Sequence, residues 1–361
     1  MLQAIAGVWF VWRFVRARAP VPASRPAVTI LKPLHGDEAG LEAALASNFA
    51  IAYPDFQIVF GVQKPDDAAL AVVAGLRARF PRVDIAVVVD ATFHGKNRKI
   101  GNLINMLPEA KHDILVISDA DVHVAPDYLD HVVAALHAPG VGLATTLYTG
   151  LATSDSVAGR LAATSISHGF IPGVLTSRAM GNQDCLGATM ALRRETLAAL
   201  GGLPALADHI ADDYLLGAKV RALGLDVAVA HTIPATSVTE TTLADVWRHE
   251  MRWARTIRAL VPVQFGLSLL QFEMAWALLA FCLNPDAESA VMFGLVWAAA
   301  ALCGIAIDAL LRGRQATRVP VLLLPLRDLL SFAITVASYT SNRVDWRGET
   351  LHAAALPQRA G

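Results

Sequence analysis

The chain has 361 residues, 55% of them hydrophobic and only 17% charged, with a mean hydropathy of +0.46 and a formal net charge of −1. That composition is too apolar for an ordinary soluble enzyme and points to membrane segments, while the even charge balance leaves no footprint for nucleic acid. The three cysteines, Cys185, Cys282 and Cys303, show no CxxC spacing, which argues against a zinc site or a disulfide framework and suits a reducing compartment.

Met1 to Val15 is apolar except for Gln3 and Arg13, and is followed by Arg16, Arg18 and a Pro-rich stretch to Pro26. The basic residues come after the apolar run, so residues 1–18 are predicted as an uncleaved anchor rather than a signal peptide. The run is shorter than the roughly 20 residues that a full span needs.

Residues 27–258 are predicted as an α/β domain. AVTILKPL (Ala27 to Leu34) is an apolar, β-branched strand, and Phe56 to Val62, Ile85 to Val89 and Ile114 to Ser118 repeat that character. Helical patterns lie between them, at Leu41 to Ser47, Ala68 to Phe80 and Lys99 to Leu107. Strands alternating with helices give a mostly parallel sheet covered on both faces. Ligands of such sheets bind beyond the carboxyl ends of strands, where the strand order reverses.

Candidate chemistry sits at those ends. The strand ILVIS runs into Asp119-Ala120-Asp121, a DxD able to present two carboxylates to a divalent cation that bridges diphosphate oxygens. A solvated turn would use the same residues. After the second strand come Asp66 and Asp67. One of these suits the cap of the next helix and the other a uracil or ribose, and Asp66 is assigned the cap and Asp67 the ligand. Asn97-Arg98-Lys99 and Asn102 open a helix, where cations and backbone N–H groups suit a phosphate and where a solvated basic turn is the plainer alternative. Asp212-Asp213 opens another helix. One of the pair could serve as a general base, although acids favour helix N-termini anyway. In WRHEMRWARTIR (Trp247 to Arg258), His249, Arg252 and Trp253 share one helical face. Arg252 could meet a diphosphate, or the whole helix could lie along a membrane surface.

Two C-terminal spans are predicted over Phe265–Leu283 and Ser289–Leu311, joined by the acidic loop Asn284-Pro285-Asp286-Ala287-Glu288. Arg312, Arg314 and Arg318 follow the second span, and with Arg16 and Arg18 they place the middle of the chain in the cytoplasm. The stretch Val319–Ala337 carries Arg327 and Asp328, a costly pair at mid-membrane depth, and is expected to be a re-entrant, interfacial or broken helix. Residues 259–341 thus form the C-terminal membrane region, and residues 342–361 a tail.

These motifs, in this order, resemble the inverting family-2-type glycosyltransferases of GT-A fold and, most closely, the ceramide glucosyltransferase family. The matching positions are Asp67, Asp119 with Asp121, Asp213, and His249-Glu250-Met251-Arg252-Trp253. VTILKPLHGDE (Val28 to Glu38) and Asp345-Trp346-Arg347-Gly348 match further family signatures, so the likeness covers nearly the whole chain. His249 stands where Gln or Arg is usual in the family. The stretches NRKIGNLINMLPEAKHDILVISDADV, GATMALRRETL and LADHIADDYLLG are most similar to the family's bacterial hopanoid-associated branch.

The resemblance implies a multi-pass enzyme of the bacterial inner membrane that carries a Rossmann-like GT-A domain on the cytoplasmic side. It implies Mg2+ or Mn2+ at Asp119 and Asp121, and a UDP-sugar held by Asp67, Lys99, Asn102 and Asp119. Asp213 is implied as base, with Arg252, Trp253 and His249 completing the catalytic set. The implied reaction moves N-acetylglucosamine from its UDP donor to a hopanoid, bacteriohopanetetrol. The alternative is glucose transfer to ceramide. A processive polysaccharide synthase would need more spans, and a non-catalytic nucleotide-sugar-binding membrane protein would have no use for intact acids at every motif.

Overall fold

The structure is a computed structural model in which residues 2–346 and 349–352 are described. Arg347 and Gly348 of the DWRG run, and the end of the expected tail, lie outside the described residues. Two compact units form: one comprises Ala17–Thr153 and Arg178–Thr239, the other Met1–Arg16, Ser154–Ser177 and Glu240–Gly361.

The first unit is α/β. Its strands are β1 (Val28–Pro33), β2 (Phe56–Val62), β3 (Asp84–Val89), β4 (Ile114–Ser118), β5 (Val122–His123), β6 (Val141–Thr145), β7 (Thr149–Ala152), β8 (Thr189–Arg193), β9 (Asp226–Val229) and β10 (Ala235–Val238). Seven of them form one sheet in the order β3-β2-β1-β4-β8-β6-β9, and β5-β10-β7 form a smaller one. The large sheet is mostly parallel. Only β8 runs against its neighbours β4 and β6.

Both faces of the large sheet are covered, which explains why its central strands read as continuous apolar runs. Every residue of β1 and β4 is buried. On one face Ile30, Ile58, Phe60, Val62 and Val116 pack with Leu45 and Phe49 of the helix Leu41–Phe49 and with Leu129 and Val132 of the helix Tyr128–Leu136. On the other face the helix Arg98–Met106 lies so close that Gly61 is required: a Cβ there would stand 2.4 Å from Met106 Sδ and 2.5 Å from Asn102 Oδ1. The chain leaves β1 for β2 and β3 and then returns to pair β4 on the opposite edge of β1. The strand order therefore reverses between β1 and β4, beside the DxD.

The second unit is helical apart from the hairpin Arg343–Trp346/Glu349–His352. Its N-terminal helix, Leu2–Arg16, has 15 residues. Among the described residues two helices are long and apolar enough to cross a membrane, Ala287–Leu310 and Val321–Thr340. The acidic loop supplies the first of these with a capping box, in which Asp286 Oδ1 accepts from Ser289 N at 2.8 Å and Ser289 Oγ accepts from Asp286 N at 3.3 Å.

The other C-terminal segments differ from expectation. The span foreseen at Phe265–Leu283 is broken: the helices Pro262–Gln271 and Glu273–Leu283 meet at 61°. The segment foreseen as a re-entrant, interfacial or broken helix is continuous over Val321–Thr340. The reason lies in the two charges that argued against it. Arg327 forms a fork with Glu250, with Nη1 to Oε1 at 2.8 Å and Nη2 to Oε2 at 2.6 Å. Asp328 Oδ2 accepts from Ala275 N at 2.9 Å, and so satisfies the exposed helix start that the break creates. Each charge is paired within this unit, so neither has to interrupt its own helix.

Gly61→Ala should lower stability by about 1–3 kcal/mol through overpacking against Met106 and Asn102, read as a lower unfolding temperature with no change in secondary-structure content. An unchanged melting curve would show that the helix Arg98–Met106 is not seated on β2 as described.

Candidate active site

The reversal between β1 and β4 brings charged groups together from four places in the first unit. Lys32 lies in the middle of apolar β1, fully buried, and its ammonium donates to Ser118 Oγ at 3.1 Å and to the Asp119 carbonyl at 2.8 Å. Burial pushes its pKa down to about 8, against the pull of Asp121 and Asp119. Above it, Lys99 Nζ sits 2.7 Å from Asp119 Oδ1 and 3.7 Å from Asp212 Oδ2. Burial alone would lower the Lys99 pKa. The carboxylates of Asp119, Asp212 and Asp213 outweigh it and hold the ammonium charged well above its ordinary value.

Asn97 sets the position of both Lys99 and Asp212. Its side-chain oxygen caps the helix Arg98–Met106 by accepting from Ile100 N at 3.1 Å, while its amide donates to the His209 carbonyl at 2.8 Å and to Asp212 Oδ1 at 3.1 Å. Asp212 and Asp213 open the helix Asp212–Ala222. The Asp213 carboxylate accepts from Tyr214 N at 2.7 Å, and its other oxygen faces Gly187, where a Cβ would come within 3.0 Å of it. Burial, then the neighbouring Asp212, push the Asp213 carboxyl up to about 6.

Asp121 is held by the small sheet. β10 pairs with β5 directly after the DxD, and the Thr236 hydroxyl donates a short hydrogen bond to Asp121 Oδ2. Burial and then Asp119 raise the Asp121 carboxyl to about 6. Asp119 itself remains 37% exposed.

Four carboxylates thus face two ammoniums, which leaves an excess of two negative charges in a poorly solvated place. A divalent cation relieves that crowding, and the oxygen-only donor set suits Mg2+ or Mn2+. Among the described residues no three His, Cys, Asp or Glu side chains form a ready-made metal cluster. Asp119 and Asp121 are the residues that could hold such an ion.

Two sequence assignments change. Asp67, rather than Asp66, bonds the start of the helix Ala69–Arg79, whose N-cap position is Ala68: Asp67 Oδ1 accepts from Ala69 N at 3.0 Å and from Gly36 N in the loop after β1 at 2.9 Å. It therefore ties two strand-end loops together, while Asp66 is exposed. Asn102, expected at the phosphates, is 3% exposed and donates to the Gly61 carbonyl at 2.7 Å, so it serves the packing of its helix on the sheet. Asn97 was read only as part of the helix opening beside Lys99, and Lys32 and Thr236 were not singled out from the sequence. Only Lys32 carried a signal there, as a cation inside an apolar strand.

His249, Arg252 and Trp253 lie in the second unit, half-buried on the helix Leu243–Leu260. The His249 and Trp253 rings meet edge to face with centroids 4.4 Å apart. His249 Nδ1 makes a short contact with Glu240 Oε1. Burial alone would raise the Glu240 carboxyl, but this partner brings it below its ordinary value.

Comparison with known proteins accords with this geometry. A mannosyltransferase from Pyrobaculum calidifontis, solved with GDP-Man and Mn2+, matches 94% of this chain and 94% of its own at 19% identity with a TM-score of 0.54. The fold is that of a GT-A-like glycosyltransferase. The chain belongs to glycosyl transferase family 21, whose sequence model matches residues 1–357. Among curated relatives, ceramide glucosyltransferase 3 of Caenorhabditis elegans is 24% identical over 242 residues, covering 66% of this chain and 52% of the relative. Ceramide glucosyltransferase 1 of the same worm is 22% identical over 287 residues, covering 79% and 61%. The enzyme of Komagataella phaffii is 32% identical over 126 residues, covering 34% and 25%. The chain thus spans only 52–61% of the length of the two worm relatives.

The raised carboxyls predict a pH dependence. Asp121 and Asp213 hold their protons more tightly in the folded protein than at the ordinary value of 3.8. The stability they contribute is complete below pH 3.8 and is lost as pH rises through about 6. In chelator, the melting temperature of Asp121→Asn minus that of wild type should therefore grow between about pH 5 and pH 7.5. A constant difference would mean that Asp121 is not crowded as described.

Proposed function

We propose that this glycosyltransferase transfers a sugar from a UDP-sugar to a lipid hydroxyl at the cytoplasmic face of a bacterial inner membrane, with inversion at the anomeric carbon. The observation that carries this reading is the gathering of Asp119, Asp212 and Asp213 around Lys99, with Asp121 beside Asp119 and Lys32, where the strand order reverses. Asp119 and Asp121 hold Mg2+ or Mn2+, which when bound neutralises charge on the diphosphate. Lys99 adds a fixed cation for the phosphates. Asp67 steadies the loops after β1 and β2 at the nucleoside end. Asp213 takes the proton of the acceptor hydroxyl. Its raised pKa suits that task, because a base works best when its pKa lies near the operating pH. Arg252 stabilises charge on departing UDP, and His249 and Trp253 hold the same helical face in shape.

N-acetylglucosamine and a hopanoid such as bacteriohopanetetrol are the proposed donor sugar and acceptor, supported by the likeness of Asn97–Val122, Gly187–Leu197 and Leu206–Gly217 to the hopanoid-associated branch. Glucose transfer to ceramide is the second reading, supported by the curated relatives.

Asp213→Asn should cut transfer by roughly 10²–10⁴-fold, the range of general-base contributions, while UDP-sugar binding stays measurable by calorimetry. Wild-type turnover in that variant would reject the base assignment. Incubation with UDP-N-acetylglucosamine and UDP-glucose, each with hopanoid and with ceramide, followed by mass spectrometry of the lipid, decides between the two substrate pairs.

A further inference from the structure

We infer that Glu250 and Arg327 are positioning residues for turnover, a buried fork that sets which face of the helix Leu243–Leu260 is presented for chemistry. The inference rests on the proposed role of His249, Arg252 and Trp253, and concerns residues to which that proposal assigns nothing.

Arg327 lies in one of the two helices able to cross a membrane, with its side chain only 7% exposed and that of Glu250 12% exposed. A charge at such depth normally marks a functional site with a named partner. Here the guanidinium is completely used. Besides the two bonds to Glu250, Nε and Nη2 donate to Ser331 Oγ at 3.2 and 2.6 Å, and Nη1 reaches the Leu161 carbonyl at 3.5 Å. Three helices, Val157–Thr164, Leu243–Leu260 and Leu324–Ala337, therefore converge on one side chain.

The fork is directional. At about 100° per residue, Glu250, Ala254 and Met251 share one side of their helix. Met251 and Ala254 are buried there with Phe265 and Ile334, and Leu330 and Ala337 pack against them. His249, Arg252 and Trp253 fall on the opposite side. Apolar contacts tolerate a helix sliding or rotating by a fraction of a turn, because one methyl group replaces another at little cost. A bidentate guanidinium–carboxylate pair does not, because both bonds fail together. The pair thus converts a permissive packing face into a fixed rotation and depth for the opposite face.

Buried ion pairs can often be replaced by apolar residues of similar volume without loss of stability, and this separates positioning from support. Glu250→Met/Arg327→Met in the full chain, purified in detergent with added lipid, should melt within a few degrees of wild type. Its kcat for UDP release from UDP-N-acetylglucosamine and UDP-glucose with bacterial lipid extract should fall roughly 10²-fold, the scale of a 1 Å misplacement, with the donor KM changed far less. Arg327→Lys keeps the charge but not the fork, and should also lose at least about tenfold in kcat. A folded double variant with wild-type kcat overturns the inference. If the double variant does not fold, wild-type kcat in Arg327→Lys overturns it instead. Arg252→Ala keeps the two readings apart. An inactive Arg252→Ala beside an active pair variant rejects the pair alone, whereas an active Arg252→Ala beside an inactive pair variant rejects the leaving-group role of Arg252 and retains the pair.

Discussion

Charge balance beyond β4 is the constraint on which the first unit depends. Asp119, Asp121, Asp212 and Asp213 crowd into one place and need cations among them, and Lys99 and Lys32 supply two. The fold is arranged to deliver those cations. β1 gives up an apolar position to place Lys32 beneath the DxD, and Asn97 caps a helix and fixes Asp212 with one side chain. The remaining crowding of negative charge shows in the raised carboxyls of Asp121 and Asp213, where burial acts first and the neighbouring acid second.

The second unit obeys the same rule in a drier setting. Three charged groups on its apolar helices are each matched: Arg327 by Glu250, Asp328 by a backbone N–H, and Asp308 by His168 Nε2 at 2.8 Å. None is left to water, which is the condition for polar groups among apolar helices. Two of these partners lie far off in sequence, 77 residues between Glu250 and Arg327 and 140 between His168 and Asp308.

That separation explains what the sequence could and could not disclose. The strands and the DxD were legible because an apolar run ending in acids is a local pattern: ILVIS is continuous, and Asp119 follows it directly. The acidic pair Asp212-Asp213 was legible for the same reason. The continuity of the helix Val321–Thr340 was not legible, because the cost of Arg327 and Asp328 is visible locally while their partners are not. The break near Phe272 was missed for the complementary reason, since nothing in Phe265–Leu283 announces that an acid from another helix will satisfy a new N-terminus. The tie that Asp67 makes between two loops turns on which carboxylate faces Gly36, a contact made 31 residues away. Thr236 holds Asp121 across 115 residues, a distance at which a lone threonine carries no signal.

The bond from Ala275 N to Asp328 also has a consequence for biosynthesis. Glu273–Leu283 emerges from the ribosome well before Asp328 does, and until then the amide groups at its start have no acceptor in this unit to replace water. An unpaired amide in hydrocarbon costs several kcal/mol. The nascent segment is thus favoured to stay unbent, or at the headgroup level, until the last helix is inserted. Maturation of this unit then proceeds from its C-terminal side, and pairing with Asp328, rather than emergence of Glu273–Leu283 itself, becomes the event after which the bend can lock.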